Sequence, residues 1–297
     1  MKIVIAGGSG FLGKLLQTYW RTKGYMVYVL TRNPQKEGDV YWNATETGEW
    51  ITILEGADVL INLTGKSVDC RYTYLNKRAI FQSRIQSTVL LRETLAQLEN
   101  PPRLWINASS ATIYIHAERQ EMEEVAGIVG DDFSMNICKD WEQAFFEGEC
   151  SSIRKVAIRT SIVLGNGGGA FPKMKQLARW YLGGHQGSGQ QWMSWVHEQD
   201  FCRAIDFIIQ QEGIYGVLNV TAPEPIQNND FMQELRGCLR VSFGMNSPVF
   251  LLEIASLLMQ TETELLLKSR RVVPRKLTAL GFVFQFPTIA VALKHLC

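Results

Sequence analysis

The chain has 297 residues, 46% of them hydrophobic and 20% charged, with 30 Lys and Arg against 29 Asp and Glu for a formal net charge of +1. That balance excludes intrinsic disorder, and it lacks the basic excess with which nucleic-acid binders and polybasic membrane-surface proteins offset phosphate charge. The length is enough to bury a large core, as one big α/β domain or two modest ones.

The first strand, Lys2 to Ala6, runs into Gly7-Gly8-Ser9-Gly10-Phe11-Leu12-Gly13, then a helical pattern through Leu15, Leu16, Tyr19 and Trp20 that stops near Gly24. A second apolar run, Tyr25 to Leu30, ends at Thr31-Arg32-Asn33-Pro34, where Asn-Pro marks a turn. This is a strand, glycine turn, helix, strand unit. A short strand near Val40 to Trp42, a helix before Gly56 and a buried strand over Val59 to Leu63 follow. A long helix covers Thr73 to Leu98, a strand Arg103 to Ala108, a helix Phe133 to Glu147 and a strand Val156 to Leu164. Such alternation predicts a Rossmann-type doubly wound parallel sheet, covered by helices on both faces.

After Leu164 the character changes. Glycine-rich stretches at Gly165 to Gly169 and Gly183 to Gly189 flank a basic, aromatic helix over Phe171 to Tyr181. A strand at Met193 to Val196, a helix over Glu198 to Gln211 and a strand at Val217 to Val220 come next, then helices over Asn229 to Leu239, Leu251 to Met259 and Ile289 to His295. The expected organisation is a dinucleotide-binding domain over residues 1–165 and a smaller, mainly helical substrate or lid lobe over 166–297, with some elements returning to the main sheet. The stretch from Phe171 to Trp195 reads equally as a lid with glycine hinges or as a packing surface.

The chain opens without the apolar stretch and cleavage site of a signal peptide, and no run of eighteen apolar residues occurs, so a cytoplasmic protein without a membrane partner is expected. The six cysteines form no C-x-x-C pair and the four histidines are dispersed, so neither a disulfide framework nor a metal site is expected.

Gly8-x-Gly10-x-x-Gly13 fits the dinucleotide fingerprint, and Gly7-x-x-Gly10-x-x-Gly13 its variant with wider first spacing. The chemistry asks for a tight turn, close approach of backbone to a pyrophosphate, and a helix N-terminus whose amides meet the negative charge. Gly7, Gly10, Phe11, Leu12 and Gly13 are therefore cofactor candidates. A site for NAD wants a carboxylate at the end of the second strand to hold the ribose 2′-hydroxyl. Here Thr31 and Arg32 stand instead, a hydroxyl and a guanidinium suited to a 2′-phosphate, so NADP(H) is expected rather than NAD; the alternative for Arg32 is a solvated surface residue.

These segments, with Ile61-Asn62-Leu63-Thr64-Gly65, Ser83-Arg84, Ala108-Ser109-Ser110-Ala111-Thr112, Cys138-Lys139-Asp140-Trp141-Glu142 and Arg159-Thr160-Ser161-Ile162-Val163-Leu164-Gly165, resemble the atypical extended short-chain dehydrogenase/reductases. The stretches from Gly167 to Met174 and Gly187 to His197, and Pro274-Arg275-Lys276-Leu277 with Gly281-Phe282, are similar to its epimerase-family branch, named for nucleoside-diphosphate-sugar epimerases. The resemblance spans essentially the whole chain. It implies that Leu63 and Thr64 line the adenine-ribose side and that Arg84 and Arg159 add cofactor contacts. Arg84 has the alternative of a solvated helix residue, whereas an arginine on a buried strand needs an anion or a carboxylate partner.

One departure bears on the chemistry. Short-chain reductases usually carry Tyr-x-x-x-Lys on the helix after the fifth strand, for proton exchange beside the nicotinamide. The spacing occurs here only at Tyr19 and Lys23, behind the glycine turn, and the expected place reads Phe133 to Ile137. Ser110, which resembles the substrate-polarising hydroxyl of the superfamily, and Tyr114 are the catalytic candidates; Tyr114 has the alternative of an aromatic cap on the sheet edge. His116 reads as a loop histidine, and His197 with Asp200 as shaping the boundary between lobes. The expected activity is an NADP-dependent oxidoreductase or epimerase-like reaction on an unidentified small molecule, by a monomer or homodimer. A non-catalytic NADP-binding sensor or scaffold is the alternative.

Overall fold

The structure, a computed structural model, describes residues 1–148, 152–250, 252–253, 262 and 267–297. Its centre is a seven-stranded sheet of β1 (Lys2–Ala6), β2 (Met26–Thr31), β3 (Asp39–Tyr41), β4 (Val59–Asn62), β5 (Leu104–Ser110), β7 (Arg154–Thr160) and β11 (Gly216–Val220). They lie side by side in the order β11-β7-β5-β4-β1-β2-β3, and every pairing is parallel. β4 is buried at every residue, and β1 at all but its first, the pattern of strands covered on both faces.

On one face, α1 (Phe11–Arg21) and α6 (Glu198–Gln210) pack over Ile3, Ile5, Ile61, Ile106 and Ile158. On the other, α2 (Ile51–Leu54), α3 (Tyr74–Leu95) and α4 (Phe133–Phe146) cover Val4, Ala6, Leu60, Trp105 and Ala157. Period-two alternation along each strand divides these two cores. Tyr19 and Lys23 have a structural task here: Lys23 lies 4.4 Å over the Tyr19 ring and pairs with Asp206 on α6 at 2.8 Å, while Trp20 Nε1 donates to the same carboxylate.

The strand expected over Val156 to Leu164 is two elements. The chain turns at Ser161, and β8 (Ile162–Leu164) leaves the main sheet to pair with β10 (Trp195–His197). A second core of Phe171 on α5 (Phe171–Arg179), Phe231 on α7 (Asn228–Leu239), Trp195 and Leu293 on α9 (Ile289–Leu296) defines the smaller lobe. From this second half of the chain, α6 and β11 return to the main sheet. Four short elements escaped the sequence: β6 (Glu121–Met122) and β13 (Arg271–Val272), which pair with each other; β12 (Ile226–Gln227), which pairs with β9 (Trp192–Met193) at the start of the expected strand; and α8 (Arg275–Ala279). The helix expected over Leu251 to Met259 lies outside the described residues except for Leu252 and Glu253, and so does Cys150. The end of the stretch before β10 is bonded to its neighbours: Gln191 and Asn228 bond Gln186, and Trp192 Nε1 donates to the Glu118 carbonyl at 2.7 Å.

The lobes are joined at His197 and Asp200, both fully buried. Asp200 takes the Arg203 guanidinium at 2.6 Å and the amides of Gln285 and Phe286. The His197 ring stacks on Phe286 at 3.6 Å; its Nδ1 accepts the Gln199 amide, so in the neutral ring Nε2 carries the proton toward His295 Nδ1, 3.1 Å away. Burial, with His295 beside it, pushes His197 down to about 4. The unfolded chain therefore takes up a proton near pH 6.5 that the folded chain refuses until about pH 4, so stability is lost as pH falls through this window, by roughly 3 kcal/mol in all. His197→Asn, which keeps an acceptor for the Gln199 amide, is expected to flatten the pH dependence of urea unfolding between pH 6.5 and 4.5; an unchanged slope would refute this assignment.

Candidate dinucleotide and active site

The order of strands reverses at β1, which has β2 on one side and β4 on the other, so the crevice of the fold opens beyond the carboxyl ends of β1 and β4. The glycine turn lies at that point. Gly7 has φ +71°, and a Cβ there would come within 2.8 Å of Thr64 Cα; at Gly8 it would press on Val29, and at Gly13 on the Gly8 backbone. The chain itself thus explains three glycines. Gly10 is different: a Cβ on it meets nothing within 4 Å, and its φ of −76° suits any residue. Gly10 is also the N-cap of α1 without a side-chain cap, and the first turn holds no acidic residue, so the early amides of Phe11, Leu12 and Gly13 face the crevice uncompensated. The Phe11 ring lies against the loop after β8, within 3.0 Å of where a Gly168 Cβ would stand.

At the end of β2, Thr31 is buried and its hydroxyl accepts the Asn33 amide at 3.3 Å. Arg32 is exposed and has no ion pair among the described residues. At the end of β4, Asn62 donates to Asn107 and Thr88 and accepts the Thr64 amide, which fixes the exit of the chain through Leu63. The Thr64 hydroxyl is buried without a partner, and so is that of Thr160, the last residue of β7.

Arg84 lies on α3 facing this exit loop. Its Nη1 donates to the carbonyls of Lys66 and Ile80, and its guanidinium stands 5.1 Å over the Trp141 ring. No carboxylate is within ion-pair distance among the described residues. Burial lowers its pKa, against the opposing influence of Cys138, Tyr72 and Cys70. Cys138 is pushed up to about 12 by burial, so it is a neutral thiol. At the end of β5, the Ser110 hydroxyl accepts the Thr112 amide at 3.1 Å and lies 2.8 Å from the Thr112 hydroxyl.

Two expectations are corrected by geometry. Arg159 is buried, yet its anion is internal: Nε and Nη2 donate to the two carboxylate oxygens of Glu142 on α4 at 2.8 and 2.7 Å, and Nη1 donates to the Tyr114 hydroxyl at 2.9 Å. A guanidinium so satisfied has no fork left for a phosphate. Burial alone would lower Arg159; the hydrogen bonds and charge of Glu142, with Tyr114, hold it above its ordinary value. Tyr114 is likewise no proton donor to a substrate. It is fully buried, its hydroxyl lies 2.9 Å from Asn219 Oδ1 and 3.2 Å from the Glu123 carbonyl, and burial raises its pKa against the pull of Arg159. It caps the end of the sheet from inside.

Where a tyrosine–lysine pair was sought, Phe133 packs edge-on to Tyr72 at 4.9 Å under Lys77, and Ile137 is core. His116 is a loop residue whose Nδ1 accepts the Ser269 amide. The sequence reading assigns no role to Glu142 or Thr160; Ser109, one of the hydroxyls it offers after the fifth strand, is bonded to Glu142 at 2.6 Å. A signal for Glu142 was present: a carboxylate in the apolar stripe of Cys138, Trp141 and Phe145, at the spacing that faces a buried arginine strand.

The sheet order, the glycine turn at the switch point and the polar edge of the crevice define a dinucleotide-binding α/β protein of Rossmann type. Residues 3–131 match the model of the NAD-dependent epimerase/dehydratase family, and residues 247–296 match a domain of unknown function. An epimerase family protein of Staphylococcus aureus is 33% identical over 296 residues, 99% of this chain and 98% of that one. The chain belongs to the epimerase family. Among solved structures, human epimerase family protein SDR39U1 (isoform 2), determined with NADPH, is similar at 28% identity with a TM-score of 0.90, over 100% of this chain and 99% of that one. A nucleoside-diphosphate sugar epimerase from Corynebacterium glutamicum is similar at 29% identity and TM-score 0.81, covering 99% of this chain and 57% of the other.

Removing one member of the buried ion pair strands the other charge. Glu142→Ala is expected to destabilise the fold by about 3–5 kcal/mol in urea unfolding, and Glu142→Gln by clearly less. A loss below about 1 kcal/mol for Glu142→Ala would mean that the pair is solvated.

Proposed function

We propose that the protein binds NADP(H) at the glycine turn and acts as an oxidoreductase or epimerase-like enzyme on the carbonyl or alcohol of a small molecule. The observation that carries the reading is the open space at Gly10, beside uncompensated helix amides and the partnerless Thr64 hydroxyl. A buried hydroxyl left unpaired costs about 1–3 kcal/mol, and the lack of a Cβ at the N-cap of α1 lets a ligand come close to the helix amides. Pyrophosphate is the chemistry that such a helix start selects. NADPH bound to the human relative supports the choice of cofactor.

In this reading, the amides of Phe11, Leu12 and Gly13 hold the pyrophosphate, and Thr31 and Arg32 hold the 2′-phosphate. Leu63 and Thr64 line the adenine-ribose side, and Arg84 adds positive charge next to them. NADPH supplies the hydride when bound. Ser110 accepts the Thr112 amide, and with the Thr112 hydroxyl donating across their 2.8 Å contact its own proton is left for a substrate oxygen. Arg159 and Tyr114 act indirectly, by fixing the end of β7 and the turn after β5. The second reading, an NADP-binding protein without catalysis, draws on the interior position of Tyr114 and on Phe133 standing where a relay tyrosine was sought.

Gly10→Ala separates binding from folding. Its backbone suits alanine, so unfolding stability is expected to stay within about 1 kcal/mol of the parent. NADPH affinity, read by fluorescence titration, is expected to fall at least ~10-fold. Undiminished affinity would overturn the site. Arg32→Ala is expected to weaken NADPH by roughly 10- to 100-fold and leave NADH nearly unchanged, since only the former loses a charge-assisted bond; equal effects on both would refute the NADP preference. If a panel of carbonyl compounds and nucleotide sugars never oxidises bound NADPH, and Ser110→Ala leaves the cellular phenotype intact, the non-catalytic reading stands.

A further inference from the structure

Two cysteines far apart in sequence share one place in the smaller lobe. Cys238 is half-buried in the last turn of α7, and Cys297 is exposed immediately after α9. The two helices meet in the second core, where Phe231 and Leu235 join Leu293 and Leu296, and Cys238 lies against this cluster. There the Cys297 thiol is within hydrogen-bonding reach of the Cys238 thiol.

The ends of both helices are held where this contact needs them. The Cys297 amide donates to the Leu293 carbonyl at 2.9 Å, and the Leu296 carbonyl accepts from Lys175 Nζ at 2.8 Å and from Asn166 Nδ2 at 3.0 Å. α7 closes on Arg240, left-handed at φ +58°, whose amide donates back to the Gly237 carbonyl at 3.1 Å. A disulfide forms without moving the chain only where the backbone already brings two thiols together, and this backbone does. Cys138 and Cys202 are different, since both are buried and burial pushes each up to about 12, so they stay neutral thiols inside the core.

We propose that Cys238 and Cys297 are a reversible disulfide site, closed by a hydroperoxide and reopened by a dithiol reductant, that locks α9 onto α7. The exposed Cys297 attacks as thiolate: its sulfur bonds the terminal peroxide oxygen, the O–O bond breaks, and the departing alkoxide or hydroxide takes up the proton that Cys297 released. Cys297 is then a sulfenic acid. The Cys238 sulfur bonds the Cys297 sulfur, the S–O bond breaks, and the hydroxyl leaves as water with the Cys238 proton. Two thiols have lost two electrons and two protons, and one hydroperoxide has become an alcohol, or a water, and a water. Reduction reverses the bond by thiol–disulfide exchange. Burial raises the Cys297 pKa against the pull of Lys175, with Cys238 adding to the rise. A thiol held protonated is a slow nucleophile, so the site answers to sustained oxidant. The lock closes a loop of roughly 60 residues, and restricting such a loop in the unfolded chain favours the folded one. None of this depends on the cofactor reading.

The test treats the full chain with hydrogen peroxide, blocks free thiols with iodoacetamide, and maps unreduced peptides by mass spectrometry while Tm is measured in parallel. A peptide linking Cys238 to Cys297 is expected, lost on treatment with dithiothreitol, together with a Tm at least ~3 °C above that of the reduced protein. Cys297→Ser is expected to keep the reduced parent's Tm within about 2 °C and to lose both the link and the gain. In Cys238→Ser, Cys297 has no neighbour to condense with, and dimedone is expected to trap its sulfenic acid. Both thiols still open to alkylation after peroxide, or a Cys297–Cys297 link between two chains in place of the internal one, overturns the site. An internal link without a gain in Tm overturns the lock.

Discussion

Two charges lie in the interior at the carboxyl edge of the sheet, and their pairing ties together most of what surrounds the crevice. The Glu142 carboxylate receives both sides of the Arg159 fork and the Ser109 hydroxyl, while the third nitrogen of Arg159 holds the Tyr114 phenol. Tyr114 passes the linkage on to Asn219, so α4, β5, β7, β11 and the turn after β5 share one polar network. Taking two ions out of water costs several kcal/mol each, and only near-complete hydrogen bonding offsets that. Such a network tolerates little displacement, which makes it a device for holding Ser110 and Thr160 in register at adjacent strand ends.

Not every buried polar group is so paired. The hydroxyls of Thr64 and Thr160, at the ends of their strands, have no partner, and neither do the indole N–H groups of Trp42 and Trp105 in the core. In the function proposed above, the Thr64 hydroxyl and the open space at Gly10 are what a bound dinucleotide would meet. The lobes on either side are joined by a different kind of contact, a buried neutral histidine stacked on Phe286, whose preference for the uncharged state ties that junction to pH.

Much of the fold was legible because its signals are local. The strand, glycine turn and helix at the start follow from apolar spacing and from three glycines whose Cβ atoms would strike their own chain. The long α3 and the amphipathic α4 appear within a few residues of their expected ends. The strand after Val156 was misjudged as one piece because its apolar run continues across Ser161; the break comes from β8 finding a partner in β10, more than thirty residues away. Tyr114 and Arg159 were misassigned for a related reason. Each reads as a functional side chain at the end of a strand, and nothing in their own neighbourhood reveals that Glu142 and Asn219 will face them.

The sequence by itself determined the class of the sheet, the glycine turn and the cationic end of β2, because periodicity, backbone freedom and charge act between near neighbours. Tertiary structure alone decided which polar side chains are spent within the protein and which remain for a ligand. That division depends on whether a partner arrives from a distant element: Arg159 meets the Glu142 carboxylate and is consumed, whereas Arg84 meets backbone carbonyls and no carboxylate among the described residues. Desolvation makes the difference, since the same arginine that is unremarkable in water must, once buried, find an anion or a ligand to hold.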